Sequence, residues 1–343
     1  MENHIPLVEA TRGSIVESVH FGAAVVVDAG GKIVAQLGSP QTTAFLRSTA
    51  KPFQALPFVE RGGVEQFGMS DRELAITCAS HHGTDEHVAV IAALQERIGL
   101  QESDLLCGTH VPGDQPTWKA MILRGEEPSP RRHNCSGKHT GMLAHAVMRG
   151  LPKTDYINPQ HPVQITILET FAEMTGLEPS QVEQGIDGCS VPTFAIPLYN
   201  TALGFARLAD PTGLPERRRD ALRHIFRAMA AFPVMVAGPS GFDTQLMQAG
   251  SGRIVSKGGA EGYQGIAVAP GALGPNSPGL GIAFKILDGD VTDRARPVVA
   301  LAILKALGAL DSSQAAALAR FDRRALVNFR RLEVGELRPA FSL

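Results

Sequence analysis

The chain has no apolar run approaching the roughly 20 residues that a membrane-spanning helix needs, and only 4 cysteines in 343 residues. The first absence argues against a helical membrane span. The second argues against a disulfide scaffold, which needs far denser cysteine. The leading residues Met1 to Pro6 lack a basic region followed by an apolar stretch, so no secretory signal is expected. Together these favour a reduced, cytoplasmic setting in which Cys78, Cys107, Cys135 and Cys189 are free, buried, catalytic or metal-binding. A surplus of one charge is also missing, with 32 basic against 34 acidic residues, which argues against a dedicated nucleic-acid binder. There is no internal repeat and no low-complexity tract. No GxGxxG or GxxxxGK[ST] match is present, so nothing suggests a nucleotide cradle.

What remains is an ordinary globular composition, 44% hydrophobic and 19% charged, long enough for one large domain or two average ones. The densest basic cluster, Arg217, Arg218 and Arg219 with Arg223, His224 and Arg227, falls in a helix-like segment and reads as a solvated helix face. Strand-like runs gather at the two ends: 22–28 and 32–37 around a Gly30-Gly31 turn, then 252–257, 265–269 and 281–287 between glycine-rich turns. These connections are too short for helices, so the sheet is expected to be largely antiparallel. Apolar residues recur at helical spacing over 85–98, 138–149, 162–175, 198–208 and 215–231, with a further helix at 293–307. The expected class is α+β, with one sheet built from both chain ends, flanking helices and a helical insertion. The expected organisation is a single catalytic unit over 1–343, with its sheet layer in 1–60 and 240–343 and a mostly helical region over 61–239.

Ser48-Thr49-Ala50-Lys51 places a hydroxyl and an amine three residues apart, on one face of a helical turn. A serine needs a base to become a nucleophile, and a lysine in its amine form can serve. Pro52 disfavours helical geometry at Lys51, so a helix that is irregular where it begins near Ser48 is expected. The plainer alternative makes Ser48 an N-cap and Lys51 a solvated cation. A second serine in Cys78-Ala79-Ser80-His81-His82 and a strand-borne Lys257-Gly258-Gly259 follow the order found in penicillin-recognising serine hydrolases, although S-D-N and K-T-G are absent.

Cys135 opens a helix within His133-Asn134-Cys135-Ser136-Gly137-Lys138-His139, and Gly188-Cys189-Ser190 follows in a loop. Two thiolates converging on zinc would want two more ligands, with His139, Lys138 or water as candidates. Cys-x-x-Lys is not a standard zinc spacing, and buried inert thiols are the alternative. The run His81, His82, Asp85, Glu86, His87 matches no standard metal spacing; its acids suit a helix N-terminus.

Taken in order, these blocks resemble the class 3, rhizobial-type L-asparaginases. The resemblance runs from Arg12-Gly13-Ser14-Ile15 through Arg47-Ser48-Thr49-Ala50-Lys51-Pro52, Cys78-Ala79-Ser80-His81, the His133 to His139 block and Asp187-Gly188-Cys189, to Lys257-Gly258-Gly259-Ala260-Glu261-Gly262. It implies hydrolysis of L-asparagine to L-aspartate and ammonia on a fold similar to serine β-lactamases and glutaminases. It also implies Ser48 with Lys51 and Ser80 with Lys257 as tandem Ser–Lys pairs acting through an acyl-enzyme. Zinc would be held by Cys135, Lys138, Cys189 and water, and the enzyme would be a homodimer. Arg47, Asn134, His139, Asp187 and Gly258 are the expected substrate-contacting residues, Arg47 from its position beside the nucleophile. The rival expectations are a related amidohydrolase acting on L-glutamine or a β-lactam, and a catalytically silent zinc-binding regulatory protein.

Overall fold

The computed structural model describes residues 3–343. Met1 and Glu2, where the leading segment was read for a secretory signal, lie outside the described residues. The chain divides into two compact units. One contains the chain up to Thr49, Ile196–Asp210 and Gln245–Leu343; the other contains Ala50–Ala195 and Pro211–Thr244.

The first unit is built on an antiparallel sheet of 8 strands. Its order is Arg324–Val327, Glu333–Pro339, Ile5–Arg12, Ile15–Asp28, Leu280–Ile286, Tyr263–Val268 and Ile254–Gly259, with Ile33–Leu37 also paired to Ile15–Asp28. The class is therefore α+β, with strands from both chain ends meeting in one sheet. Val25 and Val27 are fully buried, as are Ile282 and Phe284 on the neighbouring strand. Burying each such side chain contributes about 1.5–3 kcal/mol. Helix Leu198–Ala209 lies flat on these strands because two glycines let it. A Cβ on Gly281 would stand 1.8 Å from the Ala202 carbonyl oxygen, and one on Gly265 would strike the Phe205 ring.

Strand Ile15–Asp28 is longer than the apolar run 22–28 suggested, and its partner Ile5–Arg12 was not foreseen. Residues 15–21 mix polar and apolar positions, so no continuous apolar run marks them. They are held by pairing with Ile5–Arg12 and by buried polar contacts. His20 Nδ1 bonds Asp288 Oδ2 at 2.7 Å, while Arg294 donates to His20 Nε2 at 2.9 Å.

The second unit is mainly helical: Lys51–Glu60, Asp71–Thr77, Asp85–Ile98, Ser136–Met148, Pro162–Thr175 and Glu216–Ala231, with a hairpin of Glu183–Ile186 and the start of Pro192–Pro197. Ser70 and Thr84 open helices 71–77 and 85–98 with capping boxes, each satisfying backbone amides that have no intrahelical partner. Helix 136–148 is buried at every position from Ser136 to Ala146, the pattern of a helix covered all round. It packs against helices 51–60, 71–77 and 85–98. Its approach to helix 71–77 depends on Gly137, where a Cβ would lie 2.1 Å from the Ile76 carbonyl oxygen, and on Gly141 against Thr77.

The basic face of helix 216–231 is not simply solvated. Arg218 is buried and ion-paired to Glu60 at 3.0 Å and Glu173 at 2.8 Å, and His224 and Arg227 share Asp71. Three acids on neighbouring helices, Glu60, Glu173 and Asp71, thus pair with this face, so it is not purely solvated. No helix among the described residues is long and apolar enough to cross a membrane.

Candidate active site

Lys51 is the first residue of helix 51–60 and is completely buried. Its Nζ donates to the Ala79 carbonyl at 2.5 Å and to Ser80 Oγ at 2.9 Å. Ser80 follows the end of helix 71–77, and its own N–H donates to the Val236 carbonyl at 2.9 Å. Unlike Lys51, Ser80 keeps partial exposure. The pair therefore joins a buried lysine to a partly exposed serine.

Ser48 sits in a 3-10 turn, Arg47–Ala50, that runs directly into helix 51–60. The irregular start has two local causes. Arg47 holds φ at 51°, a left-handed conformation that costs a non-glycine residue energy. Pro52 then occupies the first helical turn, where its missing N–H is no loss. In the same unit, Thr49 Oγ1 donates to the Lys257 carbonyl at 3.1 Å. Gly259 lies so close that a Cβ there would be 2.3 Å from the Leu46 carbonyl oxygen. The Ser48 turn and the end of strand Ile254–Gly259 are thus packed together. Lys257 is buried, and its Nζ donates to the carbonyl of Gly258 at 2.6 Å. The division between the units falls between Thr49 and Ala50. Ser48, Lys257, Arg47 and Gly258 belong to the first; Lys51, Ser80, Asn134, Cys135, Lys138, His139, Asp187 and Cys189 belong to the second.

In the second unit the thiol residues converge. Cys135 precedes helix 136–148 and Lys138 lies in its first turn. Cys189 and Asp187 come from a tight turn in which Ser190 takes φ of 75° and returns its N–H to the Asp187 carbonyl at 2.9 Å. Ligand atoms of Cys135, Asp187 and Cys189 lie within 4.8 Å of one another. Lys138 Nζ is 2.9 Å from Cys189 Sγ, which is 3.5 Å from Asp187 Oδ2. A hydrogen bond from Cys189, with the nearby charges of Lys51 and Lys138, holds the Cys135 thiol well below its ordinary range against the cost of burial. The bond to Cys135 and burial push Cys189 up. Burial opposes a charged Lys138, yet the two sulfurs and Asp187 carry it above the usual lysine range. Two sulfurs with a carboxylate and a lysine nitrogen form a donor set that fits zinc. Binding would require Lys138 to release its proton if it is to be a ligand. Asp187, expected among the substrate contacts, stands inside this donor cluster.

His139 Nδ1 lies 2.6 Å from the Tyr156 oxygen, which also accepts from Leu106 N–H at 3.0 Å. The other ring nitrogen, Nε2, is buried and has no partner. A buried polar atom left unpaired costs about 1–3 kcal/mol, which marks His139 Nε2 as a group awaiting a polar partner. Tyr156 was missed because no motif surrounds it; it is simply one of 3 tyrosines. Asn134 uses its backbone locally, donating to His110 Nε2 at 3.0 Å and accepting from His81 N–H at 3.2 Å.

The histidines of the 81–87 run take structural partners. His87 belongs to the capping box of helix 85–98 and bonds the Val234 carbonyl at 2.9 Å. The one group of potential metal donors among the described residues is that of Cys135, Asp187 and Cys189.

Three solved structures illustrate what the chain is similar to. A protein described as a β-lactamase from Mycobacterium bovis shares 16% identity at a TM-score of 0.43, over 84% of this chain and 95% of that one. The protein Mglu shares 12% identity at 0.42, over 85% and 68%. A probable glutaminase from Bacillus subtilis, complexed with 6-diazo-5-oxo-L-norleucine, shares 11% identity at 0.34, over 78% of each chain. At these scores the likenesses decide neither activity nor mechanism. No curated protein matches the chain by sequence. The family model described as L-asparaginase II matches residues 8–339, nearly the whole length that carries the Ser48, Ser80, Cys135, Cys189 and Lys257 blocks, and the chain belongs to that family of amidohydrolases.

Proposed function

We propose that the protein is an L-asparagine amidohydrolase of the class 3, rhizobial type, converting L-asparagine and water to L-aspartate and ammonia. The observation that carries this reading is the buried Lys51 Nζ held 2.9 Å from Ser80 Oγ, in a chain whose family hydrolyses amides. Ser48 Oγ adds to the side-chain amide carbon while its proton passes to Lys51 in its amine form. The adduct collapses, its C–N bond breaks, and the leaving nitrogen takes that proton by way of Ser80 and departs as ammonia. Water then adds to the aspartyl ester, Lys51 takes its proton, and Ser48 leaves with a proton restored. Lys257 acts with Ser80 as the second pair of the tandem, assisting these transfers.

Arg47 pairs with the substrate α-carboxylate through charge-assisted bonds. His139 turns its unpartnered Nε2 to a polar atom of the substrate, and Asn134, Asp187 and Gly258 complete the binding set. Cys135, Lys138 and Cys189 hold one zinc ion, with Asp187 beside them. When bound, zinc supplies a fixed positive charge that organises the pocket; a serine nucleophile makes a zinc-bound hydroxide unnecessary. The enzyme works in the cytoplasm as a homodimer.

Ammonia release measured over L-asparagine, L-glutamine, a β-lactam and a peptide amide tests the reading. Turnover of L-asparagine that disappears in Ser48→Ala supports it. Preference for L-glutamine or a β-lactam moves the enzyme to a sister activity, and no release in any metal-replete preparation favours a silent regulatory protein.

A further inference from the structure

His81 immediately follows Ser80, and Ser136 immediately follows Cys135, yet 55 positions separate the two in sequence. The structure joins them through the imidazole. Gly83 N–H can only donate, and it reaches His81 Nδ1 at 3.1 Å, so that nitrogen carries no proton. His81 Nε2 therefore holds the hydrogen and donates it to Ser136 Oγ at 2.9 Å. Ser136 passes its own hydroxyl hydrogen to the Arg131 carbonyl at 2.7 Å. His81 N–H adds a second tie to the same segment, bonding the Asn134 carbonyl at 3.2 Å. Both side chains are buried, at 1% and 0% exposure, so no solvent competes for these groups.

We propose that His81 is a positioning residue, which locks the Ser80 hydroxyl and the Cys135 turn into a single rigid arrangement through Ser136. The proposal rests on the reading of Ser80 as part of the proton relay. Every proton in the chain from Gly83 to Arg131 has one direction, so the ring cannot flip or change tautomer without stranding a buried group. Ser80 has one side-chain torsion to aim Oγ at Lys51 Nζ; its backbone must do the rest. Ser80 N–H on the Val236 carbonyl fixes one side of that backbone, and His81 fixes the other. A further contact supports the orientation: the His81 ring stacks on His87 at 5.0 Å, with planes 21° apart. A catalytic group displaced by about 1 Å can cost on the order of 100-fold in rate, so this tie acts on turnover more than on substrate affinity.

The test uses the full-length protein as His81→Met, His81→Gln, Ser136→Ala and the His81→Met/Ser136→Ala double variant. Glutamine can still donate to Ser136, whereas methionine keeps bulk without hydrogen bonds. His81→Met is expected to lower kcat for L-asparagine by about 100-fold with KM changed less than about threefold. His81→Gln should restore most of that loss, and the double variant should be no worse than His81→Met alone. Amide hydrogen exchange gives a second readout independent of activity: in His81→Met, peptides covering 78–83 and 133–137 should lose protection together. The proposal is overturned if His81→Met keeps wild-type kcat, if glutamine fails to rescue, or if exchange rises only in 78–83. Should His81→Met not fold, Ser136→Ala decides by the same two readouts. A wild-type protein that hydrolyses no amide would sink the functional reading, while coupled exchange in the two peptides would still bear on the tie itself.

Discussion

Lys51 Nζ lies 2.9 Å from Ser80 Oγ, so the lysine of the S-x-x-K motif is bonded to the serine 29 positions away. The same ammonium or amine group also donates to the Ala79 carbonyl. Lys51 is thereby held at the end of the loop that presents Ser80, which is the placement a shared proton carrier needs. Replacing it with methionine keeps the stem and removes the nitrogen. Lys51→Met should lower kcat by about 100- to 10,000-fold, the range for loss of a general base, with little change in folded content by circular dichroism. Activity within about threefold of wild type would remove Lys51 from the chemistry.

The thiol cluster leads to a prediction about metal. Purified protein should carry about one zinc per chain by elemental analysis, and Cys189→Ser or Cys135→Ser should lose it. A strong chelator should lower the melting temperature of the wild type, because an ion bound to the native state alone stabilises it by mass action. The same chelator should leave Cys135→Ser unmoved. Zinc below roughly half an equivalent in all preparations would leave the two sulfurs and Lys138 as a hydrogen-bonded cluster only.

Gly137 offers a contrast between two glycines. A Cβ there would meet the Ile76 carbonyl oxygen at 2.1 Å, and backbone cannot move aside as a side-chain tip can. Gly137→Ala should therefore cost about 1–3 kcal/mol or more in urea denaturation, the usual range for overpacking. Because the displaced helix carries Cys135 and Lys138, zinc content should fall with it. Gly213→Ala, with nothing within 4 Å of its Cβ, should stay within about 0.5 kcal/mol of wild type. Equal effects at the two positions would contradict the close helix approach.

His145 makes stability depend on pH. Its ring is buried against Phe58, its Nε2 has no partner, and burial, with Arg149 and Arg61 nearby, pushes its pKa down to about 3. Unfolding restores the ordinary value near 6.5, so between these limits the unfolded chain binds a proton that the folded chain refuses. Stability from this residue is complete above about pH 6.5 and is lost as pH falls toward 3, by about 1.4 kcal/mol per pH unit within the window. His145→Phe should flatten that slope in urea denaturation compared at pH 7.5, 6 and 5. Parallel slopes for variant and wild type would show that the histidine is free to protonate in the folded state.

Much of the helical unit was legible in advance. Helices 85–98 and 162–175 have the bounds their apolar spacing indicated, because amphipathic periodicity and capping residues are local signals. The sheet was legible where apolar runs are bounded by glycine-rich turns, as in the buried Val25 to Val27 and the more exposed Ile33 to Leu37. Strand Ile5–Arg12 and the hairpin Arg324–Val327 with Glu333–Pro339 carry proline, charge and mixed polarity, and they are strands because they pair with one another along an existing edge. Among site residues, the Cys135 and Ser48 blocks stood out through their motifs. Tyr156 and Asp187 as a donor had no such mark, since their roles arise from partners 17 and 2 positions away that only a turn or a packed helix brings near.

The sequence by itself determined the chemistry available: a serine with a lysine three residues on, a second serine, a strand lysine, and two cysteines with a lysine between them. It also indicated an irregular helix start near Ser48, since Pro52 restricts the residue before it locally. Tertiary structure alone decided which of these groups meet. Lys51 bonds Ser80, Lys138 bonds Cys189, and His139 bonds Tyr156, all through contacts that close loops of 17 to 51 residues. Such closures cost chain entropy that no local pattern records, and burial of the surrounding apolar side chains offsets it, so the partners become visible only in the folded molecule.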